Sequence, residues 1–487
     1  MSLTGLQSGL FSKPRLFETL KHCNFETWKL GNIFRSFSPD NRIYALSMSS
    51  GPGVLIIGAG VAGLSAAVQL AHAGMQVLIL EARDRLGGRI FTQHDPATRA
   101  AVELGAEFIH GRPCEIWDLL RQHNLQAREV VGEDWCARDG ELCTCDFFPE
   151  VDEILEKMDD RAPDQSFLDF LASCCPTPKQ QESKRWALGY ISGFHAADPG
   201  LISVHSLAKG MRADEEIDAE RAFRIPGGYE LLVEWLRKEL LDAGVTIQLS
   251  ATVESVTWKR GSVEVKGQCE TYTASHLLVA LPLALLQAPP ELRGAVRFSP
   301  ELPAGKQDAL GRLAMGKVIR VTLCFRERFW DSLRARSGSE SKTLADMRFL
   351  FSQDEWFPTW WTTMPQKLPI ITGWAPSRCA KKLSGRPEDF VAEQAVQSLS
   401  RLLNVRKGEI ESLLESVYWH DWQSDPLSRG AYSYVKLGGD AAQQQLAAPV
   451  ENTLFFAGEV TDFTGHHGTV HGAIASGHRA AAEILKA

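Results

Sequence analysis

The sequence predicts an α/β protein in which a Rossmann-like dinucleotide-binding domain is interleaved with a second domain of mixed sheet and helices. Two observations carry this prediction. A buried strand, a glycine-rich turn and a small-residue helix follow one another directly after residue 53. Strand and helix patterns then recur along the chain, and a last strand, glycine-rich turn and helix close it. Strands alternating with helices are typical of a sheet covered by helices.

The first of these units carries a phosphate-binding pattern. The apolar run Val54–Ile57 is typical of a strand buried on both faces, and Gly58, Gly60 and Gly63 follow it as G-x-G-x-x-G. The first glycine permits a tight turn, the second lets the backbone approach a pyrophosphate, and the third allows close helix–strand packing. The helix that starts there offers unpaired N–H groups to phosphate. Glu81 closes the next strand and is placed to bind ribose hydroxyls, and its charge disfavours NADP.

The remaining elements are predicted more coarsely. Residues 113–222 are expected to be helical, residues 315–329 mostly strand, and the region around Trp356, Trp360, Trp361 and Trp374 an aromatic-rich strand region. Further helices are predicted at 64–72, 229–241, 387–403 and 472–485, and further strands at 76–80, 246–249, 253–258, 262–265, 276–280 and 453–456.

Composition and charge narrow the class of protein. The 487 residues include 52 basic and 60 acidic side chains, a formal net charge of −8, with 44% hydrophobic and 23% charged residues. This composition excludes a disordered protein, a collagen-like fibre and a coiled coil. The acidic balance argues against a nucleic-acid partner and weakly favours a cationic ligand. No apolar run of about 18 residues occurs, so no membrane partner is expected. We expect a monomer or a homodimer.

The ten cysteines show no repeated C-x-x-C pattern. In a chain with so large a core they are expected to be reduced thiols, which predicts a cytoplasmic location. Cys143 and Cys145 are close enough to pair or to bind a metal, but no second ligand set stands near them. His466 and His467 also lack partners at ligand spacing, so no metal site is expected.

Residues 1–50 carry no recognisable motif. They lack the basic start and unbroken apolar core of a secretory signal, and their scattered Ser, Lys and Arg show weak periodicity. We expect an N-terminal extension that is poorly ordered.

The residues after the second strand identify a resemblance. From Glu81 to Arg89 the chain reads E-A-R-D-R-L-G-G-R, which resembles the E-x-R-x-x-x-G-G-R signature of the flavin-containing amine oxidase superfamily. The resemblance implies that the chain binds FAD. No second G-x-G-x-x-G occurs, which argues against a reductase that uses NAD(P)H as the electron donor. Arg83 and Arg89 can supply charge-assisted bonds to the pyrophosphate.

Four further stretches match the superfamily in the expected order, over about residues 53–487. The segment 103–111 resembles the one that passes along the flavin ring, and Val253 falls where the family contacts adenine. Phe455–Glu459 resembles the strand whose acidic residue contacts the ribityl–phosphate region. The turn at 468–473 resembles the one at the pyrimidine edge, where a helix N-terminus stabilises reduced flavin. The FAD-binding residues implied are Gly58, Gly60, Ala62, Gly63, Glu81, Ala82, Arg83, Gly87, Gly88, Arg89, Gly105, Ala106, Glu107, Phe108, Val253, Trp422, Gly458, Glu459, Thr469 and Val470.

The segment 422–434 resembles the polyamine oxidases and the lysine-specific histone demethylases. Ala431 stands where monoamine oxidases have a cysteine bonded to the flavin, which implies non-covalent FAD. Tyr432 is implied as one wall of the substrate site, with Trp422 near the ring, while Thr469 replaces the second tyrosine of the monoamine enzymes. His110 falls where animal polyamine oxidases carry a substrate-side histidine.

The main departure from the family concerns a lysine that holds a water against flavin N5. Here the central strand has Arg320 at that position and Lys317 three residues earlier. In a strand these two positions face opposite sides, so Lys317 is no simple substitute. Arginine stays protonated and could orient a water, but it is no base. Efficient reaction with oxygen is therefore in doubt, and Arg320, Tyr432 and His110 are the candidate catalytic residues.

These implications predict an FAD-dependent oxidation of the C–N bond of a polyamine-type or other small-molecule amine, with O₂ reduced to H₂O₂. A desaturase or oxidase acting on C–C bonds, an amine dehydrogenase with another acceptor, a chromatin-associated protein and an inactive FAD-binding protein remain open. The predicted FAD-binding domain comprises 51–112, 223–289 and 430–487, and the substrate-binding domain comprises 113–222 and 290–429.

Overall fold

The computed structural model describes residues 53–138, 140–174, 180–337 and 340–487. The predicted N-terminal extension, residues 1–50, lies outside the described residues. The helices are α1 (Val61–His72), α2 (Cys114–Gln122), α3 (Phe147–Leu155), α4 (Phe167–Cys174), α5 (Gln181–Gly193), α6 (Val204–Glu216), α7 (Glu230–Asp242), α8 (Leu283–Leu286), α9 (Ala304–Gly311), α10 (Ser377–Leu383), α11 (Glu388–Leu403), α12 (Lys407–Leu413), α13 (Ala442–Ala447) and α14 (Val470–Ile484).

The strands of the first half are β1 (Val54–Ile57), β2 (Val77–Leu80), β3 (Thr92–His94), β4 (Ala101–Glu103), β5 (Ile109–His110), β6 (Arg128–Glu129), β7 (Glu133–Arg138), β8 (Glu141–Thr144), β9 (Ala222–Arg224), β10 (Thr246–Gln248), β11 (Val253–Lys259), β12 (Ser262–Gly267), β13 (Thr271–Ala274) and β14 (His276–Val279). Those of the second half are β15 (Arg297–Ser299), β16 (Leu313–Met315), β17 (Val318–Phe325), β18 (Arg334–Ser337), β19 (Glu340–Thr343), β20 (Met347–Phe351), β21 (Thr359–Thr362), β22 (Ile370–Pro376), β23 (Leu414–Trp419), β24 (Ser433–Val435) and β25 (Leu454–Phe456).

A parallel five-stranded sheet forms the dinucleotide-binding part, in the order β10-β2-β1-β14-β25. Strand β1 lies at its centre and is buried at every residue, because neighbouring residues point to two different cores. Val54 and Ile56 pack with α1, α7 and α14 on one face, while Leu55 and Ile57 pack against β11 and β12 on the other. Burial on both faces explains why this strand is a continuous apolar run.

A mixed nine-stranded sheet, in the order β19-β18-β8-β7-β20-β21-β22-β17-β23, forms the other large layer. Its strand β17 is buried throughout and pairs antiparallel with β22 and β23. Apolar residues of β17 and β22 pack with α10 and α11, and a second core joins β7 and β20 to helices α3, α4 and α5. The sheet thus supplies one wall of a cavity opposite the glycine-rich turn.

The two sheets come from the segments predicted for two interleaved domains. The strands of the parallel sheet lie between residues 54 and 456, in segments before, between and after the two predicted substrate-binding segments. The strands of the nine-stranded sheet lie within residues 133–144 and 318–419. The described residues from 53 to 487 belong to one compact unit, so the division into domains stays a prediction.

The segment 113–222 is less helical than predicted. Besides helices α2 to α6 it contains β6 and the hairpin β7–β8, which joins the large sheet beside β20. The strand β7 is rich in charged residues, and its carboxylates pair with basic side chains of other strands: Asp134 with Arg348, and Glu133 with Lys342. These partners lie more than 200 residues away, so no local pattern indicates the hairpin. Within 315–329 the strand ends at Phe325, and Trp356 lies in a loop.

The expectation that all cysteines are reduced is wrong, because Cys136 and Cys145 form a disulfide. Cys136 lies in β7 and Cys145 directly follows β8, so the hairpin brings their Cα atoms to 5.7 Å. The two Cα atoms are close enough for a disulfide only because the hairpin forms, and the sequence analysis did not predict the hairpin. The thiol argument for a cytoplasmic location therefore no longer applies. Within the described ranges no helix has the length and apolar character needed to cross a bilayer.

We predict that Gly477→Val destabilises the protein and weakens its hold on a dinucleotide. A Cβ at Gly477 would lie 2.3 Å from the carbonyl oxygen of Ala62 in α1, so α1 and α14 would have to separate. Overpacking of this kind costs about 1–3 kcal/mol, which a lower Tm in thermal unfolding would report.

The matched control is Gly305→Ala in α9, where an added Cβ meets no atom within 4 Å. Alanine is the better helix former, so this variant is expected to keep or raise the Tm. An unchanged Tm in Gly477→Val would contradict the close crossing of α1 and α14.

Candidate functional site

A large cavity of about 1470 Å³ lies between the carboxyl edge of the parallel sheet and the nine-stranded sheet. Ligand pockets for drug-sized molecules commonly have 300–1,000 Å³, so this cavity has room for more than one small group. The residues predicted to bind the cofactor line it almost without exception; Gly63 packs behind the wall, where its Cβ would meet the Gly58 carbonyl oxygen at 2.1 Å.

The glycine-rich turn forms a cradle at one end of the cavity. Gly58 has φ +102°, and a Cβ there would lie 2.7 Å from the carbonyl oxygen of Ala280, so only glycine fits the turn. A Cβ at Gly60 would instead meet open space. Helix α1 begins at Val61 with no side-chain cap. Its first N–H groups and its positive dipole end are therefore available to an anion in the cavity.

Glu81 is held rigidly at the end of β2. Its two carboxylate oxygens accept hydrogen bonds from the backbone N–H of Ala59 (2.7 Å) and of Arg83 (2.8 Å). Burial raises the pKa of Glu81 despite these two bonds, and the carboxylate still lines the cavity together with Ala82 and Val253. An acceptor fixed beside the cradle suits the hydroxyl groups of a ribose.

The second glycine pair packs directly on the cradle. Gly87 and Gly88 have positive φ, and a Cβ at Gly88 would lie 3.3 Å from the Cα of Gly60. The arginines on either side are paired inside the protein. Arg83 bonds Asp425 at 3.0 Å, and Arg89 bonds Glu459 at 2.8 Å. Both still line the cavity, and their contact with a pyrophosphate stays a prediction.

Glu459 ties three segments together. Besides Arg89 it accepts hydrogen bonds from the hydroxyl of Ser433 (2.6 Å) and the backbone N–H of Gly468 (3.0 Å). Burial opposes ionisation of Glu459, but Arg89 and Ser433 outweigh it and lower its pKa. The anchored turn continues into α14, whose N-cap Thr469 accepts from the N–H of Gly472. A second helix N-terminus thereby opens into the cavity at Thr469 and Val470.

A buried ion cluster occupies the position of the family lysine. Arg320 donates to the Glu107 carboxylate (2.5 Å) and to the carbonyl oxygen of Gly105 (2.9 Å), and Arg224 donates to the other Glu107 oxygen at 2.7 Å. Trp361 Nε1 also donates to Glu107 (3.0 Å). Burial disfavours ionised Glu107, yet the two arginines lower its pKa. The cluster thus keeps one excess positive charge beside the cavity.

Arg320 and Lys317 face different environments, as predicted. Lys317 is exposed immediately before β17, whereas Arg320 lies within the strand, is buried and lines the cavity. The Nε of Arg320 has no hydrogen-bond partner among the described residues. The Nε–H group is therefore a buried donor that the described residues leave unsatisfied.

The candidate substrate residues meet through aromatic contacts. Tyr432 donates its hydroxyl to the carbonyl oxygen of Phe194 (2.6 Å), and the ring of Phe194 lies edge-on to His110 with centroids 5.3 Å apart. Burial lowers the pKa of His110 to about 4, so its imidazole is neutral at pH 7. Trp422 is buried, and its indole N–H is bonded to the carbonyl oxygen of Leu104 (2.7 Å). Each of these side chains touches the same cavity.

Several cavity residues were missed by the sequence analysis. They are Tyr190, Phe194, His195, Asp214 and Trp361. Most lie on or after helices of the segment 113–222, where ordinary helical patterns give no signal of which face meets a cavity. Phe194-His195, two aromatic side chains at a helix end, is the one local hint.

The residues present fit a flavin dinucleotide. The open space at Gly60, the fixed Glu81 acceptor and two helix N-termini suit a pyrophosphate, a ribose and an anionic ring edge. At the α14 turn, three buried imidazole nitrogens have no partner within the described part of the chain: His466 Nδ1, His467 Nδ1 and His471 Nε2. Unpaired polar atoms of this kind are expected where a ligand completes the site.

Within the part of the chain that the structure describes, one group of side chains has ligand atoms close enough for a metal ion. Asp164, His205 and Asp440 lie within 4.8 Å of one another. Both nitrogens of His205 are already engaged, by Asp440 at 2.9 Å and by the carbonyl oxygen of Ala162 at 2.7 Å, and the pKa of His205 is raised. The hydrogen bonds of His205 to Asp440 and to Ala162 account for the group without a metal ion.

Comparison with known proteins gives a family match over most of the chain. The model for "Flavin containing amine oxidoreductase" matches residues 61–171 and 175–485. A lysine-specific histone demethylase 1 homolog 2 of Arabidopsis thaliana is 29% identical over 457 residues, which are 89% of this chain and 58% of that protein. Polyamine oxidase 3 of rice (Oryza sativa subsp. japonica) is 27% identical over 466 residues, 89% of each chain.

Solved structures share the fold. A putrescine oxidase bound to putrescine superposes with a TM-score of 0.74 at 22% identity, covering 90% of this chain and 99% of its own. Cyclohexylamine oxidase from Brevibacterium oxydans superposes with a TM-score of 0.73 at 18% identity, with the same coverage. At these identities the likeness concerns the fold alone.

We predict that Glu81→Ala weakens FAD retention about tenfold or more. The substitution removes the carboxylate that two backbone N–H groups bind, and it also removes the acceptor predicted for the ribose hydroxyls. The measurement is the FAD-to-protein ratio after dialysis, together with the FAD dissociation constant of the reconstituted apoprotein. Glu264→Ala, on β12 and exposed, is the control for loss of a carboxylate. A fully flavinated Glu81→Ala protein would contradict the ribose assignment.

Proposed function

The chain belongs to the flavin-containing amine oxidoreductases, and we propose that it oxidises the C–N bond of an amine. The family match over residues 61–171 and 175–485 confirms the predicted family and FAD as its cofactor, and the solved relatives confirm the α/β fold. The observation that supports the proposal is the placement of Tyr432, His110 and the Glu107–Arg320 pair around the cavity that carries the dinucleotide cradle.

In the proposed reaction the carbon next to the amine nitrogen loses a hydride equivalent and the nitrogen loses a proton, which gives an imine. Bound FAD would supply the two-electron acceptor. Water then adds to the imine and releases a carbonyl compound and an amine. The electrons pass to O₂, which with two protons gives H₂O₂, so the reaction consumes one amine, one O₂ and one water. Protein side chains contribute positioning and electrostatics, since the redox chemistry belongs to the cofactor.

Tyr432 and His110 position an amine without charging the site. The hydrogen bond to Phe194 fixes the Tyr432 hydroxyl, so its ring presents one orientation to the cavity. His110 is neutral at pH 7, because burial lowers its pKa to about 4. A neutral imidazole accepts or donates a hydrogen bond without repelling a cationic substrate.

The positive groups at the other side stabilise negative charge. The N-terminus of α14 is capped by Thr469 and directs its dipole into the cavity. The Arg320–Glu107–Arg224 cluster adds one excess positive charge, and arginine cannot give it up as a proton. We assign to Arg320 the task of holding a water or stabilising charge when electrons leave the flavin.

The identity of the electron acceptor, O₂ or another molecule, is the part of the proposal that an experiment can test most directly. Arg320 is bound to Glu107 at 2.5 Å, which limits its freedom compared with a lone lysine. An amine dehydrogenase that uses another acceptor is the second candidate function, and admission of air to the reduced enzyme separates the two. The relatives include a demethylase homolog of which this chain covers 58% of the length. Three points therefore remain predictions: a small-molecule amine as substrate, a cytoplasmic location and the oligomeric state.

The test is anaerobic bleaching of the flavin by a panel of amines, followed by admission of air. We expect at least one amine to reduce the flavin and air to restore the oxidised spectrum with one H₂O₂ per turnover. Bleaching by an isoprenoid or porphyrinogen but by no amine would favour C–C chemistry. Reduction by amine without reoxidation in air would favour the dehydrogenase.

Arg320→Met is expected to slow reoxidation by oxygen about tenfold or more while changing anaerobic reduction less, because it removes one buried positive charge. Stopped-flow absorbance measures both half-reactions. The matched control is Lys317→Met, which removes an exposed charge three residues away. Unchanged reoxidation in Arg320→Met would remove Arg320 from the oxygen step.

A further inference from the structure

Three cysteines lie on one face of the hairpin β7–β8. Cys136 of β7 stands directly opposite Cys143 of β8. Cys145 follows two residues later, and its N–H donates to the carbonyl oxygen of Asp134 at 3.1 Å, so the strand pairing continues to it. Opposed residues of an antiparallel pair share a face, as do residues two apart in a strand. The hairpin therefore collects three sulfur atoms, of which the disulfide uses two.

Cys143 is placed to replace Cys145 as the partner of Cys136. Its thiol donates a hydrogen bond to the carbonyl oxygen of Cys136, with a sulfur–oxygen distance of 3.7 Å. Directly opposed residues of an antiparallel pair have Cα atoms about 4.5–5.5 Å apart, and disulfides join Cα atoms about 4.4–6.8 Å apart. The Cys136–Cys145 pair, at 5.7 Å, meets the same requirement. Both pairings therefore suit the Cα separations of the hairpin.

The three cysteines differ in their access to solvent and to the cavity. Cys136 is buried, whereas Cys143 and Cys145 are half-buried. Cys145 also lines the large cavity, together with Phe148 and Pro149, which are exposed. These three lining residues therefore mark a mouth of the cavity. The disulfide joins a buried residue of the sheet to an accessible residue at this mouth.

The disulfide ties the start of α3 to the large sheet. Cys145 precedes α3 by two residues, and the helix begins without a side-chain cap. In its first turn the ring of Phe147 stacks on Phe351, with centroids 3.8 Å apart. Asp152 and Leu155, farther along α3, line the cavity. The covalent link at Cys145 thus helps to fix one wall of the cavity.

We propose that Cys136, Cys143 and Cys145 form a thiol–disulfide exchange site that releases α3 from the sheet. The thiolate of Cys143 attacks the Sγ of Cys136, a bond forms between these two sulfurs, and the bond between Cys136 and Cys145 breaks. Cys145 leaves as a thiolate and takes up a proton in place of the one that Cys143 lost. No electrons are gained or lost overall, so the exchange needs no oxidant or reductant.

The exchange acts locally, because the hairpin keeps a disulfide in both states. A disulfide stabilises mainly by restricting the unfolded chain, and this restriction depends only weakly on loop length. Cys143 and Cys145 are two positions apart, so the two pairings close loops of similar length. Global stability is therefore expected to change little, whereas α3 loses its covalent link to β7. The released Cys145 becomes a free thiol at the mouth of the cavity.

The first test maps the disulfides of the FAD-loaded wild-type protein. The protein is incubated in mildly alkaline buffer without added thiol, free thiols are blocked with N-ethylmaleimide, and peptides are analysed by mass spectrometry without reduction. Fragmentation of the linked peptides locates the maleimide. We expect a fraction of the molecules to carry it on Cys145, with Cys136 linked to Cys143. Complete labelling of Cys269, an exposed free cysteine, is the control for blocking. Cys136–Cys145 as the sole linkage would overturn the exchange.

The second test uses two FAD-loaded variants that trap the two pairings. Cys143→Ser leaves only Cys136–Cys145, and Cys145→Ser leaves only Cys136–Cys143. Amide hydrogen exchange in α3 should be about tenfold faster in Cys145→Ser, because local opening of α3 becomes easier. Helix α11 belongs to a different core and should exchange alike in both variants, and the two Tm values should be similar.

Three results would overturn the proposal in this test. The first is equal exchange of α3 in the two variants. The second is a Cys145→Ser protein in which Cys136 and Cys143 both remain free thiols after oxidation with glutathione disulfide. The third is a lower Tm of Cys145→Ser with faster exchange in α11, since that would be a global loss of structure. None of these readouts depends on turnover of an amine.

Discussion

The close crossing of α1 and α14 is the constraint on which the rest of the site depends. Gly477 lets the backbone of α14 rest on the Ala62 carbonyl, and Gly63 does the same for α1 on the turn at Gly58. Because both helices begin at the cavity, this contact brings two helix N-termini to one ligand site. The fold thus directs the positive ends of two helix dipoles at the cavity, and neither end needs a basic side chain to be positive.

Fixed carboxylates then connect this frame to the second wall. Glu81 is bonded to the backbone at Ala59 and Arg83, and Glu459 joins Arg89, Ser433 and the turn before α14. Glu107 carries the linkage across to the nine-stranded sheet through Arg320. Each of these carboxylates accepts hydrogen bonds from several donors, and these bonds offset the free-energy cost of burying its charge.

The local part of this arrangement was predictable from the sequence and the long-range part was not. The turn from Gly58 to Gly63 and the position of Glu81 follow from spacing, because they belong to a single βαβ unit and the Glu81 carboxylate binds backbone N–H groups of that unit. The pairing of Arg320 with Glu107 joins residues 213 positions apart, and the Cys136–Cys145 disulfide depends on a hairpin hidden in polar sequence.

The charge of the cavity wall also bears on the proposed reaction. Two arginines and one carboxylate leave an excess positive charge in the Arg320–Glu107–Arg224 cluster, while His110 is neutral at pH 7 because burial lowers its pKa to about 4. A protonated amine would be repelled by the cluster, whereas a neutral amine would not. The proposed reaction requires the neutral form, because the nitrogen needs a free electron pair when the neighbouring carbon loses its hydride. The charge of this wall therefore supports the proposed chemistry.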